Sequence, residues 1–347
     1  MKEGCTITRL QAVSVAILFS LGSLLVFGGE FSAGPDSWLA ALACGIIALP
    51  VWLICGRLSS LYPRKSLFEI FLEIYGKVGG RILIAFYLIY VLNLCSTVIR
   101  NCTEFMQIVA LSRTPQIAMA ILLVGLAFFL AYKGVGLIGR FSFWSAILCF
   151  LAIGVTIIAA SPYFDIKYLE PVLANGILPV FKSGLLVAPY RLADIFLIIG
   201  VFAYMKQSGK RVRWLLSGWG TIVVISCLVT LILILVLGVP MAQKLNFPFY
   251  ATASLINIGE FLTQVEVFIS GSFLLTGIVK MSVAFHAVDR GLGLLCGTTG
   301  KGQYLWAIGL FCTAYSAVLY ESTVQMRAFL QIYIYLASPF QLLIPLA

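Results

Sequence analysis

Six ionisable side chains interrupt otherwise apolar stretches of this 347-residue chain: Arg100, Glu104, Arg191, Asp194, Glu266 and Arg327. A charge facing hydrocarbon costs about 2.5–3.5 kcal/mol even on lenient scales, so such groups turn inward and pair, or line a functional site. Arg100 and Glu104 are four residues apart on one helical face, the spacing of an intrahelical ion pair. Arg191 and Asp194 are three apart and directly follow Pro189 and Tyr190. Proline removes a backbone donor and crowds the preceding turn, and the carbonyls it frees need protein, ion or water partners inside a bilayer. A small polar ligand can be that partner, which makes Tyr190, Arg191 and Asp194 candidate ligand-binding residues. The first apolar stretch has its own weak point at Ser20, Gly22 and Ser23. These join the candidate ligand set, although small residues at such spacing also serve close helix contacts. Glu266 and Arg327 complete an intramembrane charge network, near enough to the surface for snorkelling to account for them as well. Three positive and three negative groups fit either a polar vestibule opening outward or a set of architectural ion pairs.

No catalytic constellation accompanies these charges. The single histidine, His286, falls at the end of an apolar stretch and reads as a solvated loop residue. Phosphate loop, zinc-helix and nucleophile-elbow patterns are absent from the sequence. The nine cysteines lack metal-ligand spacing, and most sit inside apolar runs as small hydrophobes. The expectation is a protein that is not an enzyme and holds neither metal nor cofactor.

The elements that position these residues are apolar runs near 10–28, 38–56, 82–110, 117–132, 142–161, 184–205, 215–238, 261–285, 304–320 and 324–346. Most reach the roughly 20 residues that cross about 30 Å of hydrocarbon. With 61% hydrophobic and 10% charged residues, the chain is all-α and polytopic, with about ten transmembrane helices in one domain over residues 1–347. The net charge of +10 sits on loops, where it meets lipid headgroups rather than nucleic acid. The N-terminus and the even-numbered gaps hold sixteen Lys and Arg, Lys280 among them, against four in the odd-numbered gaps. That bias puts the N-terminus and the loops of Lys65, Arg140, Arg211 and Arg290 in the cytoplasm, with Asp36, Lys167 and Lys244 outside. Ten spans divide into half-repeats of five, about 8–161 and 184–346, and an odd number per half inverts the second copy. Two connecting segments read as interfacial: 65–77, with apolar residues at helical spacing, and the proline-rich 161–183.

Residues 98–140 resemble the permease-like B subunits of bacterial spore germinant receptors. The likeness rests on Arg100 and Glu104 along the third span, the Thr114-Pro115 turn, and the glycine-rich turn from Gly134 to Arg140. A second match covers 245–268, with Phe247-Pro248-Phe249 followed by Ile258-Gly259. The chain departs from the family at the sixth span, where Leu192-Ala193-Asp194 stands in place of Phe-Gly-Glu. The resemblance implies the amino acid–polyamine–organocation superfamily, with its five-plus-five inverted repeat and broken helices one and six. It further implies a spore inner-membrane location, assembly with an A subunit and a C lipoprotein subunit, and sensing of a small germinant such as an amino acid. The alternative is a proton-coupled amino acid transporter with Asp194 or Glu104 as the coupling acid.

Overall fold

A computed structural model describes residues 6–27, 31–205, 210–255, 265–298, 300–320 and 323–343. Lys2 and Lys206 lie outside the described residues, as do residues 256–264 and the side chains of Tyr190 and Arg327. Each of the ten apolar runs coincides with a helix. These are α1 (Arg9–Phe27), α2 (Ser37–Leu61), α3 (Leu67–Val109), α4 (Gln116–Lys133), α5 (Val135–Ala160), α6 (Leu178–Arg191), α8 (Arg211–Lys244), α10 (Val265–Cys296), α11 (Leu305–Val318) and α12 (Thr323–Ser338). Two short helices, α7 (Ile199–Phe202) and α9 (Pro248–Ser254), follow α6 and α8. Among the described residues, seven helical segments are long and apolar enough to cross a membrane, and α1 and α11 are shorter apolar helices. Large apolar side chains such as Leu122, Ile158 and Leu310 point away from the bundle. In water such a surface would aggregate; against acyl chains it costs nothing.

Local chemistry sets the breaks. Ser66 caps α3 by accepting from the Glu69 amide while the Glu69 carboxylate accepts from the Ser66 amide at 2.7 Å, a reciprocal capping box. The helix then departs from helical geometry at Gly76 (φ 70°), a backbone conformation that only glycine enters cheaply. Residues 67–75 are thus a separate amphipathic helix ahead of the third span. In 161–183 there are two short 3-10 turns, Ser161–Tyr163 and Ile166–Leu169, with mostly exposed side chains. Asp36 holds this segment down, its carboxylate accepting from the Leu173 amide at 2.9 and 3.0 Å.

The centre of the bundle is α10, which packs on α1, α3, α4 and α5, while α2 packs on α6 and α8. Close approach at the hub depends on small residues. A Cβ on Gly22 of α1 would sit 2.9 Å from Thr276 Oγ1 of α10.

Two expectations about the spans divide here. Helix one is not broken: α1 runs from Arg9 to Phe27 through Ser20, Gly22 and Ser23. An unbroken helix satisfies every interior backbone group without outside help, and Gly22 is used for packing instead. Helix six is broken. After α6 ends at Arg191 the chain tightens into a 3-10 segment, Ala193–Ile198, before α7.

Candidate functional site at the break in helix six

A helix that ends inside a bilayer leaves carbonyls without intrahelical partners. Side chains from distant elements fill that role here. Gln341, in a turn of π-helix at Pro339–Leu343, donates through Nε2 to the Pro189 carbonyl at 2.8 Å. Trp52 of α2, fully buried, donates its indole N–H to the Leu192 carbonyl at 2.9 Å. The Cys55 thiol, one turn further along α2, approaches the Ile195 carbonyl at 3.7 Å. The carbonyls on either side of the break are therefore held by protein side chains.

The break presents Asp194. Its carboxylate is buried and makes contacts to three elements. Oδ2 lies 3.2 Å from the Lys280 ammonium of α10, with both side chains about 5% exposed. Oδ1 accepts from the Tyr90 hydroxyl of α3 and, at 2.5 Å, from Gln341 Nε2. Tyr90 continues the chain of polar contacts to the Tyr333 hydroxyl at 3.1 Å and stacks on Phe340 at 4.8 Å. Lys280 is held from its other side by the Phe19 ring of α1, 5.0 Å from the ammonium, a cation–π contact that strengthens when desolvated. A paired and hydrogen-bonded carboxylate is what low dielectric tolerates; loss of one partner would leave a bare charge.

Lys280 is the residue that sequence reasoning misplaced. The loop count assigned it to a cytoplasmic gap, yet it lies inside α10 and is 5% exposed. The available signal was its depth. Lys280 follows Glu266, in the first turn of α10, by a span worth about 21 Å at 1.5 Å per residue, far enough to reach the bilayer interior. Tyr90, Tyr333 and Gln341 carried no such signal, because their participation depends on tertiary contact.

Beside Lys280 is a small cavity of 30 Å³, lined by Gly22, Ser23, Asn101, Thr276 and Gly277 among others. It is the size of a single water. Two of the first-helix candidates, Gly22 and Ser23, thus line the same cavity as Lys280, while Ser20 is buried one turn earlier. Arg191 is buried at 4% exposure, and among the described residues the salt bridge to Asp194 comes from Lys280.

The remaining charges form separate groups. Arg100 lies 3.3 Å from Glu104. Gln116, at the start of α4, bridges the two: its carbonyl accepts from Arg100, and Nε2 donates to Glu104 at 2.9 Å. Glu266 is half-buried in the first turn of α10, where the helix dipole favours an acid. Among the described residues, the Arg100–Glu104 pair and the Asp194–Lys280 pair are separate contacts. His286 lies within α10, partly buried, with its ring 6.3 Å from that of Tyr204, and is not a loop residue.

A helical bundle with one span interrupted by a 3-10 segment, and a buried acid at that interruption, is a transporter-like membrane protein. The solved structure of MhsT in complex with L-phenylalanine superposes with a TM-score of 0.66, at 10% identity, over 91% of this chain and 78% of that one. The chain belongs to the spore germination protein family, whose model matches residues 6–325, and it is a permease-like germinant receptor subunit. Spore germination protein KB of Bacillus subtilis is 26% identical over 99% of this chain and 94% of its own length. Spore germination protein XB of Bacillus anthracis is 22% identical over 74% of this chain and 71% of its own.

Proposed function

We propose that this subunit senses a small zwitterionic nutrient, such as an amino acid, by placing it between Asp194 and Lys280 and so triggers germination. The observation that carries the reading is the buried ion pair across the helix-six break, 3.2 Å long, with a small cavity of 30 Å³ beside it. A zwitterion can give its ammonium to Asp194 and its carboxylate to Lys280. One buried pair becomes two, and the net charge of the site stays the same. A ligand with a single charge leaves one protein group uncompensated in low dielectric, at a cost of about 3–5 kcal/mol. The internal pair holds α10 against the break, so its replacement frees α10 and the 3-10 segment to repack. The ligand acts only through its differential affinity for the two packings.

On this reading the ligand-binding set is Asp194, Lys280, Gly22 and Ser23, with Ser20, Tyr190 and Arg191 around it, and Arg100, Glu104, Glu266 and Arg327 in supporting charge contacts. The two half-repeats are 8–161 and 184–346. The subunit works without catalysis in the spore inner membrane, N-terminus in the cytoplasm, with an A subunit and a C lipoprotein subunit reading its conformation. The test compares an amino acid with its decarboxylated amine and its deaminated acid in binding to the purified protein and in spore germination. The zwitterion alone should act; equal action of either single-charge analogue would overturn the assignment.

A second reading is a proton-coupled amino acid transporter, supported by the likeness to MhsT. Proton-dependent uptake of labelled amino acid into proteoliposomes would establish it.

A further inference from the structure

At the end of the bundle where α1 begins and α2 ends, two adjoining cavities of 270 and 290 Å³ share Glu69, Tyr204, His286, Arg290 and Lys301 as walls. We propose that they form a second binding site, one that takes the phosphoryl group of an amphiphilic phosphate ester. This goes beyond the germinant reading and does not depend on it.

Charge is the first support. Arg64, Arg290 and Lys301 line one or both cavities, and Lys133 lines the second, against the acids Glu69 and Asp289. Both acids are already engaged. Glu69 accepts from the Ser66 amide and hydroxyl and lies 3.6 Å from Arg290. Asp289 accepts from the Gly302 and Tyr304 amides at 2.9 and 3.1 Å. Arg64 and Lys301 have no acidic partner within 4 Å among the described residues. The cavity mouth is therefore a cationic cleft with low-dielectric walls, which focuses field on an anion. Arginine beside lysine is the donor set suited to a phosphoryl group.

Backbone and shape add to this. Arg64 occupies the left-handed region at φ 71°, where a non-glycine residue costs about 1 kcal/mol or more, so the turn carries an arginine where glycine would be cheaper. The inner wall of the first cavity is apolar, built from Leu197, Val201, Val283 and Ala287. A cationic mouth over an apolar floor fits a ligand with a charged head and an apolar body. The floor includes residues just past the helix-six break, so an occupant would brace that segment against α10.

A glycerophospholipid and a soluble phosphate ester both carry this chemistry. The experiment uses the full-length protein in nanodiscs of zwitterionic lipid and reads thermal stability. One arm adds a water-soluble short-chain phosphatidic acid, with inorganic phosphate and chloride at matched ionic strength as references. Another arm replaces part of the bilayer with long-chain phosphatidic acid. A saturable rise in melting temperature in either arm is expected, and the arm that responds identifies the source. Arg64→Gln combined with Lys301→Gln should weaken the binding about tenfold or more. Each single variant should give an intermediate loss, so the result does not hang on the double variant folding. Arg213→Gln, at an exposed position outside both cavities, should change nothing. Three results would overturn the proposal: no saturable shift in either arm, the same loss from Arg213→Gln, or equal stabilisation by an acidic peptide lacking phosphate.

Discussion

Asp194 and Lys280 stand 86 positions apart in the chain, and their side chains meet at 3.2 Å in the interior of the bundle. The acid comes from the 3-10 segment that interrupts the sixth span, the base from the helix on which α1, α3, α4 and α5 pack. The contact thus joins the 3-10 segment of the sixth span to the helix at the centre of the bundle.

Breaking that pair from one side should cost far more than removing both halves. Lys280→Met leaves a bare carboxylate and Asp194→Asn leaves a bare ammonium, each worth about 3–5 kcal/mol of stability. The double variant should recover much of the loss, because an uncharged pair can pack in its place. Thermal unfolding of the purified variants measures the cycle, and strict additivity would show that the pair is not coupled. Asp194→Glu should insert stably yet shift germinant sensitivity, since the extra methylene moves the carboxylate by about 1 Å. Germination dose–response at matched abundance reads that shift.

Much of the fold was legible. Apolar runs near 20 residues locate the ten longer helices among the described residues, and the spacing of Leu67, Phe68, Phe71 and Leu72 gives the amphipathic helix ahead of the third span. The site was legible in part. A proline followed by two charges marks a break, since neither suits an isolated helix in lipid. A glycine between serines is ambiguous: it suits an unwound turn or a tight crossing equally, and Gly22 has the second use, facing Thr276. Lys280 was obscured because a loop tally treats every lysine alike, and its partner lies 86 positions away in the chain.

Gln341 supplies the hydrogen bonds that hold the break shut. Gln341→Leu leaves the Pro189 carbonyl without its side-chain donor and removes a donor from Asp194 Oδ1. A buried group left unsatisfied costs about 1–3 kcal/mol. The variant should melt at lower temperature, and hydrogen exchange should rise in residues 189–198 while α4 and α5 stay protected. Unchanged exchange at the break would mean that Trp52 and Cys55 suffice.

Gln116 links Arg100 to Glu104 across the turn between α3 and α4. Gln116→Leu should therefore destabilise less than Arg100→Ala or Glu104→Ala, because the 3.3 Å ion pair survives without its bridge. Each charge-removing single variant strands a partly buried partner, and the Arg100→Ala, Glu104→Ala double variant should cost less than the sum. Membrane abundance and melting temperature across the set give the ranking. A Gln116 effect as large as that of Arg100 would make the amide the central group of the cluster.

The loop charges carry an expectation about orientation. With Lys280 assigned to the bundle interior, fifteen Lys and Arg remain at the N-terminus and even-numbered gaps, against four in the odd-numbered gaps. That asymmetry still favours a cytoplasmic N-terminus. Single cysteines test it best at exposed positions, so Arg213 and Lys167 serve, whereas Arg211 is buried with its guanidinium on the Ser59 carbonyl. The background must lack Cys5 and the exposed Cys296, which would otherwise react. In intact cells an impermeant maleimide should modify Lys167→Cys and spare Arg213→Cys until the membrane is opened. The reverse pattern would turn the protein over, and would place the basic cavities, together with Arg64 and Lys301, on the outer face.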